Sequence, residues 1–117
     1  MDLINLSLRE KVIILEQEFY CFMPDEWVLR YRMKRRNLGI CRYRQKDIIL
    51  NLNLLDDKEY DFNKCLQVFY HEVSHALSYP NCGHCSYDFG KYCNYFGVSK
   101  SPIIKFNSHS CNRLNEK

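Results

Sequence analysis

His71-Glu72-Val73-Ser74-His75 lies in the middle of a segment with helical periodicity. Apolar residues recur three and four positions apart on both sides of it, which predicts a helix that Asp61 caps and that ends at about Tyr79. Residues four apart on a helix share one face, so His71 and His75 can bind one Zn²⁺ ion. Glu72 lies one step around the helix, where it can act as general base toward the attacking water. The pattern therefore predicts a zinc-dependent hydrolase of peptide bonds, acting on a protein or peptide substrate.

The third zinc ligand has to come from elsewhere in the chain. A catalytic zinc ion takes three protein ligands and keeps one position for water. His84 is the first candidate, because a chain reversal over 80–83 brings it back toward the motif helix. Asp88, on the helix that follows, and His109, near the C-terminal end, are the alternatives.

A small sheet is predicted ahead of the motif helix. Over 27–34 apolar and other residues alternate, which predicts a strand with one apolar and one basic face. The apolar set is Trp27, Leu29, Tyr31 and Met33, and the other set is Val28, Arg30, Arg32 and Lys34. Residues 38–43 and 48–52 predict two further strands joined by a turn, and we expect an antiparallel arrangement of all three.

Helices are predicted on both sides of these elements. Ser7 and Glu10 fit a capping box, and the apolar spacing that follows predicts a helix over 8–21. A shorter helix is expected over 87–96, ending at Gly97. We expect its three tyrosines to pack against the sheet, and the alternative is that one of them donates a hydrogen bond in the transition state. These are Tyr87, Tyr92 and Tyr95.

The predicted fold class is therefore α+β: an N-terminal helix, a small three-stranded antiparallel sheet, the HExxH helix and a C-terminal helix. With 117 residues, 46% of them hydrophobic, the chain suits one compact domain. We assign this domain to residues 1–97 and a C-terminal extension or loose tail to 98–117. A monomer is expected.

Cysteine content and the chain start bear on the cellular compartment. No run approaches 18 apolar residues and residues 1–8 have no basic segment, so we expect neither a membrane span nor a signal peptide, and an intracellular location in the cytoplasm or nucleus. Seven cysteines are then expected to be thiols or metal ligands. Cys21, Cys41 and Cys65 are interpreted as core thiols.

Basic residues are concentrated in 30–46. This stretch has eight of the 17 Lys and Arg residues and no acid, while the other nine basic residues are outnumbered by 14 acidic ones. A positive surface of this kind attracts phosphates. DNA is therefore a candidate partner, through Arg30, Arg32, Lys34, Arg35, Arg36, Arg42 and Arg44. A charged edge strand that only keeps its face solvated is the competing interpretation.

A second zinc interpretation comes from Cys82-Gly83-His84-Cys85. Two cysteines at this spacing can chelate a structural zinc ion. Cys93, His109 and Cys111 follow, but they do not form a second closely spaced ligand pair. The alternative function is a small zinc-ribbon-like module that binds nucleic acid without catalysis.

The order of motifs resembles that of the SprT-like metallopeptidases, which include the Spartan-type proteases of DNA–protein crosslinks. The similar segments are Leu38-Gly39-Ile40-Cys41, the apolar strand over 48–55, the HExxH motif, and Gly83-His84 followed by Phe89. Residues 32–36 and Asn51 are also similar to the short YgjP-like gluzincins. The resemblance covers about residues 27–97 and implies a minimal zincin-like domain, a zinc peptidase with His71, His75 and His84 as ligands.

Overall fold

A computed structural model describes residues 6–33, 38–55, 60–81, 83–84 and 86–99. The elements in chain order are α1 (Leu8–Phe22), β1 (Val28–Arg32), β2 (Gly39–Arg42), β3 (Asp47–Asn51), a 3₁₀ turn (Leu52–Leu55), α2 (Phe62–Ser78) and α3 (Tyr87–Phe96). Helices at both ends enclose a small sheet, which confirms the α+β fold class.

The first helix begins where the capping box predicts. Ser7 Oγ accepts from Glu10 N at 3.1 Å, and Ser7 N donates to Glu10 Oε1 at 2.8 Å. Leu15 and Phe19 are buried on its inner face, and so is Lys11, whose Nζ donates to the Leu55 carbonyl at 3.0 Å. No local pattern predicts that this lysine is buried, because its partner is a backbone oxygen 44 positions further along the chain.

The sheet is mixed, so the prediction of an antiparallel arrangement is wrong for one of its two strand pairs. The strand order is β1-β3-β2, with β2 antiparallel and β1 parallel to β3. Because β2 and β3 form a hairpin, β1 pairs with the remaining edge of β3. All five residues of β3 are buried, as is typical of a central strand covered on both faces.

The alternation along β1 is confirmed within the strand. Leu29 and Tyr31 pack against the core, whereas Arg30 and Arg32 are exposed. Met33 was expected on the apolar face, but it is 69% exposed. The strand ends at Arg32, so the alternation no longer fixes the direction of the next side chain.

The motif helix α2 packs on β2 and also contacts β3. Asp61 caps it by accepting from Lys64 N at 2.9 Å, as predicted. Phe69 and Val73 are fully buried in the core. The helix therefore holds the HExxH segment rigidly against the sheet.

The last helix is also confirmed at both ends. Ser86 caps it, accepting from Phe89 N at 3.1 Å, and Gly97 ends it in the left-handed conformation with a φ of 74°. Its buried residues are Phe89 and Cys93. The expected packing of the tyrosines is wrong for two of them, because Tyr87 and Tyr95 are 81% and 70% exposed; they lie off the buried stripe of the helix.

The cysteines divide differently from the prediction. Cys41 and Cys65 are buried, as expected, whereas Cys21 is exposed. Cys21 follows Phe19 by two residues, which places it about 200° around α1 from that buried side chain.

Two further expectations can be compared with the structure only in part. No helix in the described ranges is long and apolar enough to cross a bilayer. Most of the predicted extension, 98–117, lies outside the described residues, so the proposed domain division stays a prediction.

Candidate metal centre

His71 and His75 lie one turn apart on α2 with their rings close together. The ring centroids are 5.1 Å apart, and all five residues of 71–75 are buried. This segment is covered on more than one side because α2 packs on the sheet and on α3. The pairing on one helix face follows directly from the four-residue spacing.

His84 comes back to the same place from the loop between α2 and α3. The loop is closed by two backbone hydrogen bonds, from Asn81 N to the Ser78 carbonyl at 2.8 Å and from Ser86 N to the Gly83 carbonyl at 2.9 Å. His84 Nε2 lies 3.3 Å from His75 Nε2.

The three histidines have the donor set and spacing of a metal site. One ring nitrogen from each of His71, His75 and His84 can be chosen so that all three atoms lie within 4.8 Å of one another. Tetrahedral zinc with Zn–N bonds of about 2.0–2.1 Å places neighbouring ligand nitrogens about 3.3–3.4 Å apart. The spacing of His75 and His84 already matches this value, so the arrangement can bind a metal ion.

A backbone carbonyl orients His71. Its Nδ1 lies 3.2 Å from the Ser99 carbonyl oxygen. A carbonyl only accepts hydrogen bonds, so Nδ1 carries the hydrogen, and in the neutral ring Nε2 keeps its lone pair. Metal-ligating histidines usually have such a second hydrogen bond, which fixes tautomer and ring orientation.

Phe89 supports the cluster from α3. Its ring stacks on His75 with centroids 4.2 Å apart and also meets His71 and His84 at 5.2 and 5.4 Å. Phe89 is fully buried. The sequence identified it only through the family resemblance, and the structure shows that it contacts all three imidazoles.

Glu72 points from α2 toward β2. It is 1% exposed, and its Cγ would lie 3.0 Å from a Cβ atom built on Gly39. Its carboxylate is therefore held between helix and sheet and shielded from bulk solvent.

Comparison with known proteins agrees with this arrangement. A model of the SprT-like family matches residues 11–93. The chain belongs to the SprT-like family. The match includes all three histidines and Glu72, and it extends the sequence resemblance upstream into α1. No curated protein and no solved structure matches the chain.

The alternative ligands lie elsewhere in this SprT-like chain or outside the described residues. Asp88 Oδ2 accepts from Asn81 Nδ2 at 3.1 Å, and Asp88 is not part of the histidine group. Cys93 is buried on α3. The other residues of the zinc-ribbon interpretation, Cys82, Cys85, His109 and Cys111, are outside the described part.

The basic stretch of the SprT-like chain is partly neutralised by a buried acid. Asp47 Oδ2 lies 3.0 Å from Arg30 Nε and 2.6 Å from Arg42 Nη2, and its side chain is 2% exposed. Burial raises the pKa of Asp47, but hydrogen bonds and charge from Arg42 and Arg30 outweigh it and hold the pKa below its ordinary value. Lys46 pairs with Glu26 at 2.8 Å.

Asp47 directly follows the basic stretch in the sequence, and the strand register could have identified it as the partner of Arg30 and Arg42. Asp47 faces Val28 in β1 and Arg42 in β2. The register brings Arg30, two residues further along β1, within reach of the same carboxylate. Lys34, Arg35 and Arg36 lie outside the described residues.

Proposed function

We propose that the chain is a zinc-dependent metallopeptidase of SprT-like type. The observation that carries this proposal is the convergence of His71, His75 and His84 beside the buried Glu72. Three imidazoles are a ligand set of catalytic zinc sites, which keep a further position for water or substrate.

Each residue has a distinct part in the proposed reaction. The three histidines hold the ion, which when bound supplies Lewis acidity that polarises a carbonyl group and makes water acidic near neutral pH. Glu72 takes a proton from the attacking water as its oxygen adds to the peptide carbonyl carbon. When the C–N bond breaks, the leaving amine receives that proton from Glu72, and the carboxylate is regenerated.

The surroundings favour a fixed geometry for these groups. Burial of Glu72 and His75, at 1% and 0% exposure, limits competition from bulk water for their hydrogen bonds. The Ser99 carbonyl and the Phe89 ring restrict the imidazole orientations. Such preorganisation is the usual source of rate enhancement in a hydrolase site.

Hydrolysis of an unstructured protein substrate tests the proposal. The wild type, loaded with one equivalent of zinc, is expected to cleave it, and Glu72→Gln to lose activity by several orders of magnitude while it keeps the fold and the metal. Tyr87→Phe is the matched control, because it changes an exposed side chain on α3. Equal cleavage by wild type and Glu72→Gln would remove Glu72 from the reaction.

We further propose that the substrates include proteins associated with DNA. This proposal rests on the eight cations of 30–46, and the structure helps to choose which of them to test. Arg30, Arg42 and Lys46 have acidic partners. Arg32 and Arg44 are exposed and form no ion pair with an acid in the described ranges, so they are the better candidates for phosphate contacts.

A further inference from the structure

Helix α2 approaches strand β2 most closely at Gly39. A Cβ atom at this position would lie 3.0 Å from Val68 Cγ1, 3.0 Å from Glu72 Cγ and 3.4 Å from Glu72 Oε2. Val68 and Glu72 are four residues apart, so they lie on the same face of the helix. Both side chains therefore pack on the Gly39 backbone.

The close approach of α2, and not an unusual backbone conformation, explains why position 39 is a glycine. Gly39 has no positive φ, unlike Gly97, so any residue can adopt its extended conformation. Glycine inside a strand weakens it and often marks a close approach by another group. At position 39 that group is the side chain of the proposed general base.

A methyl group at position 39 would act mainly on Glu72. Carbon atoms prefer separations of about 3.5–4.0 Å, so the contacts at 3.0 Å require the neighbouring side chain to move by a few tenths of an ångström. Val68 is β-branched and has one strongly preferred rotamer in a helix. Glu72 has more rotatable bonds, so its side chain would move and take the carboxylate with it.

We propose that Gly39 is a positioning residue for Glu72. Because Gly39 has no side chain, Glu72 can pack directly on its backbone, and this packing fixes the carboxylate beside the three histidines. This inference rests on the proposed peptidase function for its kinetic consequence. Displacing a reacting group by about 1 Å can cost on the order of 100-fold in rate, so a displacement of a few tenths of an ångström is expected to cost less than that. Glycine at 39 is thus a requirement of the site on α2, although it lies on a different element.

Gly39→Ala in the full chain tests the inference. We expect kcat to fall about 3- to 10-fold, with KM and zinc stoichiometry close to those of wild type. Ile49→Val is the control for general loss of packing, because Ile49 is buried in β3 and faces Ile40 across the strand pair. This variant should keep the wild-type kcat.

A second comparison separates Glu72 from Val68. Val68→Ala removes one of the two close contacts, so Gly39→Ala combined with Val68→Ala should still have a lower kcat than Val68→Ala alone. If Gly39→Ala by itself does not fold, the comparison of the double variant with Val68→Ala alone still tests the inference. A kcat within twofold of wild type for Gly39→Ala, complete rescue by Val68→Ala, or zinc loss in parallel with activity would overturn the inference.

Crystal structures of the wild type and Gly39→Ala give a readout that does not depend on activity. The Glu72 carboxylate is expected to shift by a few tenths of an ångström, while the imidazole nitrogens of His71, His75 and His84 stay in place. An unmoved carboxylate would contradict the role of Gly39. If the wild type hydrolyses no peptide, the proposed function fails, and this comparison still decides whether Gly39 fixes Glu72.

Discussion

His84 Nε2 lies 3.3 Å from His75 Nε2, although the two residues are nine positions apart and a helix ends between them. The contact places a loop imidazole against the second histidine of the HExxH helix. Two imidazole nitrogens at this distance match neighbouring ligands of a tetrahedral ion, and Phe89 packs against both rings. The loop therefore adds a third imidazole to the two on the motif helix, and the start of α3 adds the phenyl ring that packs against them.

The turn after α3 should affect zinc affinity through His71. Gly97 has a φ of 74°, and an added Cβ would meet no atom within 4 Å, so Gly97→Ala introduces backbone strain of about 1–2 kcal/mol without a clash. Relief of that strain would move Ser99 away from His71 Nδ1. Loss of such an outer hydrogen bond typically weakens metal binding about 10- to 100-fold, which a competitive chelator titration measures.

Lys91→Gly is the matched control for this prediction. Lys91 is exposed on α3, and a glycine there costs about 1 kcal/mol of helix stability while leaving the Gly97 turn intact. If both variants bind zinc equally well, the Ser99 carbonyl has no part in holding His71.

Asp47 should make the domain sensitive to acid. Its pKa is held below the unfolded value of about 3.9, so its contribution to stability is fully present above about pH 4 and is lost as the pH falls through the folded pKa. Asp47→Asn should lower the free energy of unfolding by about 1–3 kcal/mol at pH 7, because two arginines lose a charged acceptor. Urea unfolding at a series of pH values measures the difference.

The pH dependence distinguishes this ion-pair effect from simple packing loss. The gap between wild type and Asp47→Asn is expected to be constant from pH 5 to 8 and to narrow below pH 4. If the difference in the free energy of unfolding between the two proteins stays unchanged into strong acid, the charge of Asp47 contributes nothing to stability.

DNA binding should depend on the cations that have no acidic partner in the described residues. Arg32→Ser with Arg44→Ser is expected to reduce the slope of log affinity against log salt by about 1–2, since each phosphate contact contributes about 0.9. Fluorescence anisotropy with labelled duplex across salt concentrations gives this slope. Arg9→Ser with Lys64→Ser, which removes the same charge from the two helix starts, should leave it unchanged; an equal loss in both variants would assign the effect to net charge.

Thiol reactivity should follow burial. Cys21 is exposed, whereas Cys41, Cys65 and Cys93 are buried, and burial raises the pKa of the Cys65 thiol to about 12 despite the nearby charge of Lys11. Iodoacetamide at neutral pH should therefore alkylate Cys21 well before these three. Peptide mass spectrometry after short exposure tests the order, and early labelling of Cys65 would contradict the packing of α2 on the sheet.

Local sequence patterns predicted the helices well because their determinants are local. The capping residues Ser7, Asp61 and Ser86 and the terminal Gly97 act within a few residues of their own helix. The proximity of His71 and His75 was likewise predictable, because residues four apart lie one turn apart on the same helix.

Long-range features could not be predicted in the same way. The parallel pairing of β1 with β3 depends on which edge of the hairpin is available. The bridge from Asp47 to Arg30 depends on that register, and the buried Lys11 depends on a carbonyl at Leu55. The contact of Ser99 with His71 joins residues 28 positions apart, and no periodicity in either segment indicates it.

The metal content of the purified full chain tests the central claim most directly. Elemental analysis should find one zinc per chain in wild type and in Cys82→Ser with Cys85→Ser, and much less than one in His71→Ala, His75→Ala and His84→Ala. In the proposed site these histidines are the three protein ligands, so each substitution would remove about a third of the donor set. A wild type without zinc, or zinc that persists in the histidine variants and disappears with Cys82 and Cys85, would contradict the account.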